Sequence, residues 1–254
     1  MSVVRSVILL AAMLLPAAHA APAPLPRIAI IVDDLGYQRA AGERALRLPG
    51  AVTYAILPQT PSAAALAQLA HLEGKEVLLH LPLESVGDGD APQPGGITLQ
   101  MSRDEFHAAF SAALDSVPHA VGVSNHRGSL LTRHPGHMGW LMEEIAAHEG
   151  MFFVDSFTTH QSIAMQLALE AGIATTRRHV FLDNDRSPAA LSREFERLTA
   201  IARRQGVAVA ICHPYPETLA FLEQKLIELD DSAVQLVPVS QALAGIERGA
   251  PGGL

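Results

Sequence analysis

The chain has 254 residues, 49% of them hydrophobic and 17% charged, with a formal net charge of −8 at pH 7. This is a globular composition, long enough for one α/β barrel or two small domains, and it lacks the basic footprint of a nucleic-acid binder. Aromatic residues make up only 5% and Cys212 is the single cysteine, so an aliphatic core without intramolecular disulfides must carry the stability.

In chain order, Arg5 is followed by an apolar run over residues 7–18, and Ala18-His19-Ala20 supplies a small-x-small sequence. Together these predict a signal peptide over residues 1–20, cleaved after Ala20, and an exported, periplasmic protein. The run is shorter than the roughly 20 residues that span a bilayer, and no later segment reads as a membrane span. Residues 21–26 form a Pro-Ala linker, and the folded domain is expected over 27–248.

From Arg27 onward, short apolar runs alternate with helical patterns. Strands are predicted at 28–32, 52–57, 76–81, 120–123, 151–154, 179–182, 207–211 and 234–237. Helices are predicted at 63–72, 103–114, 138–148, 188–204 and 217–228 among others. Near-continuous apolar strands separated by helices imply a parallel sheet buried on both faces. Seven or eight such units imply one closed or nearly closed barrel, with an open doubly wound sheet as the structural alternative. Two irregular stretches, 84–96 and 124–137, directly follow the third and fourth strands. Loops at the carboxyl ends of parallel strands build the active site of such folds. Residues 249–254 read as a frayed tail.

The informative polar residues are those that fall where a buried strand ends. Asp33 and Asp34 follow the first strand, and two adjacent carboxylates there cost desolvation unless a cation or donors compensate. A helix cap at Asp33 beside a solvated Asp34 is the structural alternative. His80, His126 and His213 lie at the ends of the third, fourth and seventh predicted strands. Carboxylate and imidazole with an open position is the donor set of a catalytic divalent metal, zinc being the commonest fit. Asp155, Asp183 and Asp185 are expected to order loops or ligands. His71, His107 and His148 fall in helical stretches, and His134, His137, His160 and His179 near turns or polar loops. Ser129 and Ser156 lie outside any Gly-x-Ser-x-Gly elbow, and Cys212 reads as a small buried hydrophobe. There is neither a P-loop nor a Gly-x-Gly-x-x-Gly.

The motifs form a series: Ile30-Ile31-Val32-Asp33-Asp34-Leu35-Gly36, His80-Leu81-Pro82-Leu83-Glu84, Gly122-Val123-Ser124-Asn125-His126-Arg127-Gly128-Ser129, Phe153-Val154-Asp155-Ser156, Val180-Phe181-Leu182-Asp183-Asn184 and Ile211-Cys212-His213-Pro214. This series resembles the divergent polysaccharide deacetylases, relatives of the carbohydrate esterases, over nearly all of the chain from Arg27 to Gln241. The resemblance implies a distorted (β/α) barrel of NodB-like type. It also implies Asp33 as catalytic base, Asp34 as metal ligand and His213 as general acid. In the parent deacetylases the second motif has two histidines four apart, where this chain has His80 and Glu84. Their Arg-x-Pro-Tyr motif falls where this chain has Asn125-His126.

The expected site therefore has Asp34, His80 and His126 on a divalent metal and Asp33 and His213 on protons. Glu84, Asn125, Asp155, Ser156 and Asp183 are expected to touch the substrate or orient the ligands. The implied reaction is hydrolysis of acetyl groups on an envelope polysaccharide or peptidoglycan-like glycan. The alternative is an inactive barrel that binds glycan or an envelope partner.

Overall fold

The computed structural model describes residues 24–87, 93–229 and 233–246. The expected signal peptide and the tail from 249 lie outside the described residues, as do residues 21–23 of the linker and 88–92 of the first long loop.

The elements run β1 (Arg27–Leu35), α1 (Arg39–Leu46), β2 (Thr53–Ile56), α2 (Ala63–Leu72), β3 (Glu76–Leu83), α3 (Arg103–Asp115), β4 (Ala120–Arg127), α4 (Pro135–Ala146) and β5 (Phe152–Asp155). They continue with α5 (Ala164–Glu170), β6 (Thr175–Arg177), β7 (Val180–Phe181), α6 (Pro188–Gln205), β8 (Val207–Cys212), α7 (Pro216–Glu228), β9 (Gln235–Leu236) and α8 (Val239–Ile246). Local chemistry sets several boundaries. A capping box, with Ser102 and Glu105 each satisfying the other's backbone N–H, starts α3. Pro188 opens α6, and Gly206 at φ +85° ends it, the asymmetry expected of helix termini. His134 Nδ1 accepts from the His137 amide, so α4 begins at Pro135 rather than at the expected 138.

The sheet is wholly parallel, in the order β6-β5-β4-β3-β2-β1-β8-β7, with β9 beside the first residues of β1. Its two edges are served by one stretch of chain. Thr175, Thr176 and Arg177 pair with β5, and the Arg178 amide still donates to Asp155 O. From His179 the partner becomes β8: the His179 amide donates to Val209 O, and Val180 and Phe181 pair with Ala210 and Ile211. The sheet is thus curled into the distorted barrel expected, with a seam at the β6–β7 junction. The predicted strand at 179–182 is the second half of that stretch. Its first half, Thr-Thr-Arg, carries no apolar run for a sequence pattern to catch.

Strand alternation splits the core in two. Ile28, Ile30 and Val32 of β1 join the large cluster that includes residues of α1 to α7, whereas Ala29 and Ile31 face the other way. That second cluster gathers Leu78, Val154, Val207, Val209 and Ile211 with Val239 and Ala242 of α8. Helices therefore cover the outside of the curl, and α8 packs against β1 and β8 from the inner side.

Candidate metal centre and the cleft around it

The same alternation delivers the site. Side chains two apart share a face of a strand, so Ala29 and Ile31 put Asp33 on the inner face of β1. Leu78 does the same for His80 on β3, and Val207, Val209 and Ile211 do it for His213 after β8. On β4, Val123 belongs to the outer cluster, which leaves Ser124 and His126 inward. Parallel register sets His80 beside Ser124 and Pro82 beside His126. Both β3 and β4 run further than their apolar runs suggest, so His126 stands, like His80, on laddered backbone rather than in a loop. Cys212, of opposite parity, sits in the outer core, fully buried with its thiol pKa pushed up by burial.

Asp34 cannot reach the inner face by alternation. Its φ of +61° falls in the left-handed region, and the β1–β2 register shifts between Val32 and Leu35. Asp is one of the few non-glycine residues that tolerate this conformation. The kink turns Asp34 onto the histidine that Asp33 faces: His80 Nε2 lies 3.4 Å from Asp33 Oδ2 and 3.2 Å from Asp34 Oδ1. The turn that follows needs Gly36, where φ is +133° and a Cβ would sit 2.0 Å from Thr60 Oγ1.

His126 Nδ1 is 2.8 Å from Asp34 Oδ1, yet that buried oxygen has no aligned hydrogen-bond partner among the described residues. The approach is close without hydrogen-bond alignment, an arrangement that a shared ion would satisfy. Donor atoms of Asp34, His80 and His126 all lie within 4.8 Å of one another. One carboxylate and two imidazoles with a solvent side open fit a divalent cation. Ser124 Oγ pairs with His80 Nδ1 at 2.8 Å, which fixes the ring and leaves Nε2 for the site.

The opposite wall is built on Asp183. Its Oδ2 accepts from the His213 amide at 2.7 Å and from Thr218 Oγ1 at 3.0 Å, and its Oδ1 faces His213 Nδ1 at 3.1 Å. That leaves His213 Nε2 pointing to the site, 3.6 Å from Asp34 Oδ2. The cleft between the walls holds about 480 Å³ and is lined by Tyr37, Gln38, His126, His213 and Tyr215 among others.

The surroundings tune these groups apart. Burial, then the charge of Asp34, raises the Asp33 pKa well above the usual carboxylate range. For Asp34 burial acts in the same direction, but contacts with His126 and His80 outweigh it and leave the pKa far below that range. Burial drops His80 to about 4, against the pull of Asp34. Burial also works against the charge on His213, yet Asp183 overrides it and raises the pKa.

The remaining expected residues form the frame rather than the ligand set. Glu84 stands apart from the metal cluster: its Oε2 accepts from the Leu99 amide at 2.7 Å and its backbone carbonyl from Leu130 and Leu131. It ties loops, because the chain turns away after Leu83. Asn125 clamps two strand ends, accepting from the Ser156 amide and donating to Arg127 O. Asp155 accepts from the Phe157 amide and from Ser162 Oγ, and burial raises its pKa. Ser156 leaves its buried Oγ without a hydrogen-bond partner among the described residues. Asp185 accepts from the Ser187 amide on the surface. Sequence reasoning missed Ser124 and Thr218 as orienting groups. Ser124 had a signal, since it lies two residues before His126 on the same face; Thr218 had none, being 35 residues from Asp183.

The model of the divergent polysaccharide deacetylase family matches residues 30–243. The uncharacterized protein YibQ of Escherichia coli K12 is 34% identical over 239 residues, which is 94% of this chain and 73% of that protein. The uncharacterized protein ATU2773 of Agrobacterium tumefaciens superposes with a TM-score of 0.82 at 26% identity, over 88% of this chain and 91% of that one. At the level of fold alone, the chain is similar to a mutant of BA3943, a CE4 family pseudoenzyme from Bacillus anthracis, in which enzymatic activity is restored. That match has a TM-score of 0.51 at 13% identity and covers 88% of this chain and 72% of the other.

Proposed function

The chain belongs to the divergent polysaccharide deacetylase family, and from that premise we propose that it is a metal-dependent hydrolase removing acetyl groups from an envelope polysaccharide or peptidoglycan-like glycan. One observation carries the reading. Donor atoms of Asp34, His80 and His126 lie within 4.8 Å of one another, with a buried carboxylate on one side and a carboxylate-oriented histidine on the other.

Asp34, His80 and His126 would hold the ion, for which zinc suits the mixed nitrogen and oxygen donors. Such an ion supplies Lewis acidity, lowering the pKa of water and polarising an acyl oxygen. Asp33 receives the proton of the attacking water at Oδ1, which is buried and has no hydrogen-bond partner among the described residues. Desolvation makes that carboxylate a stronger base than an exposed one. His213 gives a proton from Nε2 to the departing amine or alcohol, while Asp183 holds Nδ1 and favours the charged ring. Tyr37 and Tyr215, 56% and 40% exposed at the cleft, offer amphipathic faces to a sugar ring. Among the described residues no helix is long and apolar enough to cross a membrane. The proposal includes export to the periplasm, resting on the charge and apolar pattern of residues 1–20. Exported protein should begin at Ala21, and N-terminal sequencing that finds Met1 would overturn that part.

The non-catalytic alternative draws support from Glu84. It occupies the position of the second histidine in the parent motif, and its carboxylate is committed to the Leu99 amide. Acetate release from N-acetylated chitooligosaccharide or peptidoglycan by zinc-loaded protein separates the two readings. Release that depends on the ion and on Asp33 supports the hydrolase; tight glycan binding without release replaces it with the binding role.

A further inference from the structure

Every pair of consecutive strands from β1 to β6, and from β7 to β9, is joined through a helix; β6 and β7 are joined by Arg178 and His179 alone. Beside that junction lies a cavity of about 600 Å³, between the loop after β5 and the C-terminal half of α6. Arg177, Arg178, Arg197, Arg204, His160 and His179 line it, and among the described residues no aspartate or glutamate does. Four guanidinium groups share one cavity in a chain whose net charge is −8.

Three of these four arginines form no ion pair with a carboxylate among the described residues. Arg178 donates from Nε to Ser156 O at 2.8 Å and from Nη2 to Phe157 O at 2.9 Å, with its guanidinium 5.0 Å over the Phe181 ring. Arg177 stacks 4.8 Å over Phe157. Arg197 has one carboxylate partner, Glu194, at 3.1 Å, and Arg204 forms no ion pair or hydrogen bond among the described residues. Burial, and more weakly the charge of Arg197, disfavours the charge on Arg178, while Asp155 and Asp33 offset this from the barrel side. Gathering like charges costs energy that a bound anion returns. Guanidinium forks match carboxylate and phosphate oxygens in pairs. Thr158, Thr159 and Gln205 add neutral hydrogen-bonding groups suited to hydroxyls, and the volume lies within the usual range of small-molecule sites.

We propose that this flank cavity binds a saccharide bearing an oxyanion, either a phosphate or a carboxylate. Arg178 forms the fixed floor, and Arg177, Arg197 and Arg204 close on the anion. The site is separate from the Asp34 cluster and does not depend on the activity proposed for it.

Titration calorimetry on the full mature chain at low ionic strength tests this with glucose 6-phosphate, glucuronate, glucose and inorganic phosphate. Glucose 6-phosphate or glucuronate should bind at millimolar concentration or below, at least tenfold more tightly than inorganic phosphate, and glucose should give no heat. Which of the two sugars binds better identifies the anion. Arg178 secures the seam, so the variant of choice is the pair Arg177→Gln and Arg204→Gln, both exposed; it should weaken binding at least tenfold with an unchanged circular dichroism spectrum. Asp34→Asn should leave the affinity as it was. Failure of both sugars to bind at 10 mM, or binding unaltered in the double variant, overturns the site. Inorganic phosphate matching glucose 6-phosphate overturns the saccharide assignment.

Discussion

The two walls of the cleft use the same side chain for opposite purposes. On the β1–β3–β4 wall, His80 is buried and oriented by a neutral hydroxyl, Ser124, and its pKa falls to about 4. On the β7–β8 wall, His213 is less enclosed, its side chain 16% exposed against 2% for His80, and is oriented by the Asp183 carboxylate, and its pKa rises. Full burial beside a neutral hydroxyl leaves an imidazole as a neutral donor, fit for a metal, even against the pull of Asp34; a carboxylate partner at a less enclosed position favours the imidazolium, fit to give up a proton. Asp33 and Asp34 repeat the contrast within two residues, one driven up by desolvation and the other held down by two histidines.

The largest expected effect is on the first wall. Asp34→Asn should lose the ion and turnover together, because an amide is a poor substitute for a ligating carboxylate. Metal analysis after dialysis checks this, and the loss should exceed the roughly 10–100-fold that removing a ligand's partner costs. The two groups proposed to move protons, one on each wall, should respond differently. Asp33→Asn and His213→Gln should keep the ion and lower turnover by about 10²- to 10⁴-fold each, as general acid–base groups do. Exchange of these outcomes between Asp33 and Asp34 would exchange their roles.

Smaller effects isolate the orienting partners. Ser124→Ala should weaken metal affinity by about 10–100-fold while turnover at saturating metal stays within a few fold. Asp183→Asn should do the reverse, leaving metal affinity in place and lowering turnover, since only the histidine that moves a proton needs that charge. A shared loss in both variants would mean that the two walls act as one network.

Much of this arrangement was legible in the sequence, for a physical reason. Side chains alternate strictly along a strand, so an apolar run that ends in Asp33, His80 or His213 already states which face the polar residue joins. The other half of the site breaks or exceeds that rule. Asp34 reaches the cluster only through a left-handed residue, which no pattern of apolar positions announces. Asp183 meets His213 across 30 residues through the β7–β8 register, and pairing partners are not written into either strand. Glu84 stands four residues after His80, but the strand ends at Leu83 and its carboxylate accepts from the Leu99 amide, a loop contact that no strand pattern announces. The arginines of the flank come from a strand seam and a helix, and only the fold brings them together.

The β7–β8 wall contains a second histidine that sharpens the contrast, with the smallest expected effect. The Val209 amide donates to His179 Nδ1 at 3.1 Å, and the His179 amide donates to Val209 O at 2.9 Å. The first of these bonds needs an unprotonated Nδ1, so His179 must hold the seam without a proton on that nitrogen. Burial, then the charge of Arg177, lowers its pKa below the ordinary histidine value. The sign follows from which state binds the proton. Below about pH 6.5 the unfolded chain takes up a proton that the folded form refuses. His179 therefore supports the fold fully above that pH and progressively less as pH falls. The loss is on the order of 1 kcal/mol, the worth of one hydrogen bond. Guanidinium midpoints at pH 8 and pH 5 measure it, and other histidines contribute to the same difference, so the informative quantity is the change in that difference on His179→Gln. A glutamine oxygen can accept from Val209 at any pH, and the variant should be less pH-sensitive than the natural chain. Equal sensitivity in both would mean that the seam does not depend on the charge of His179.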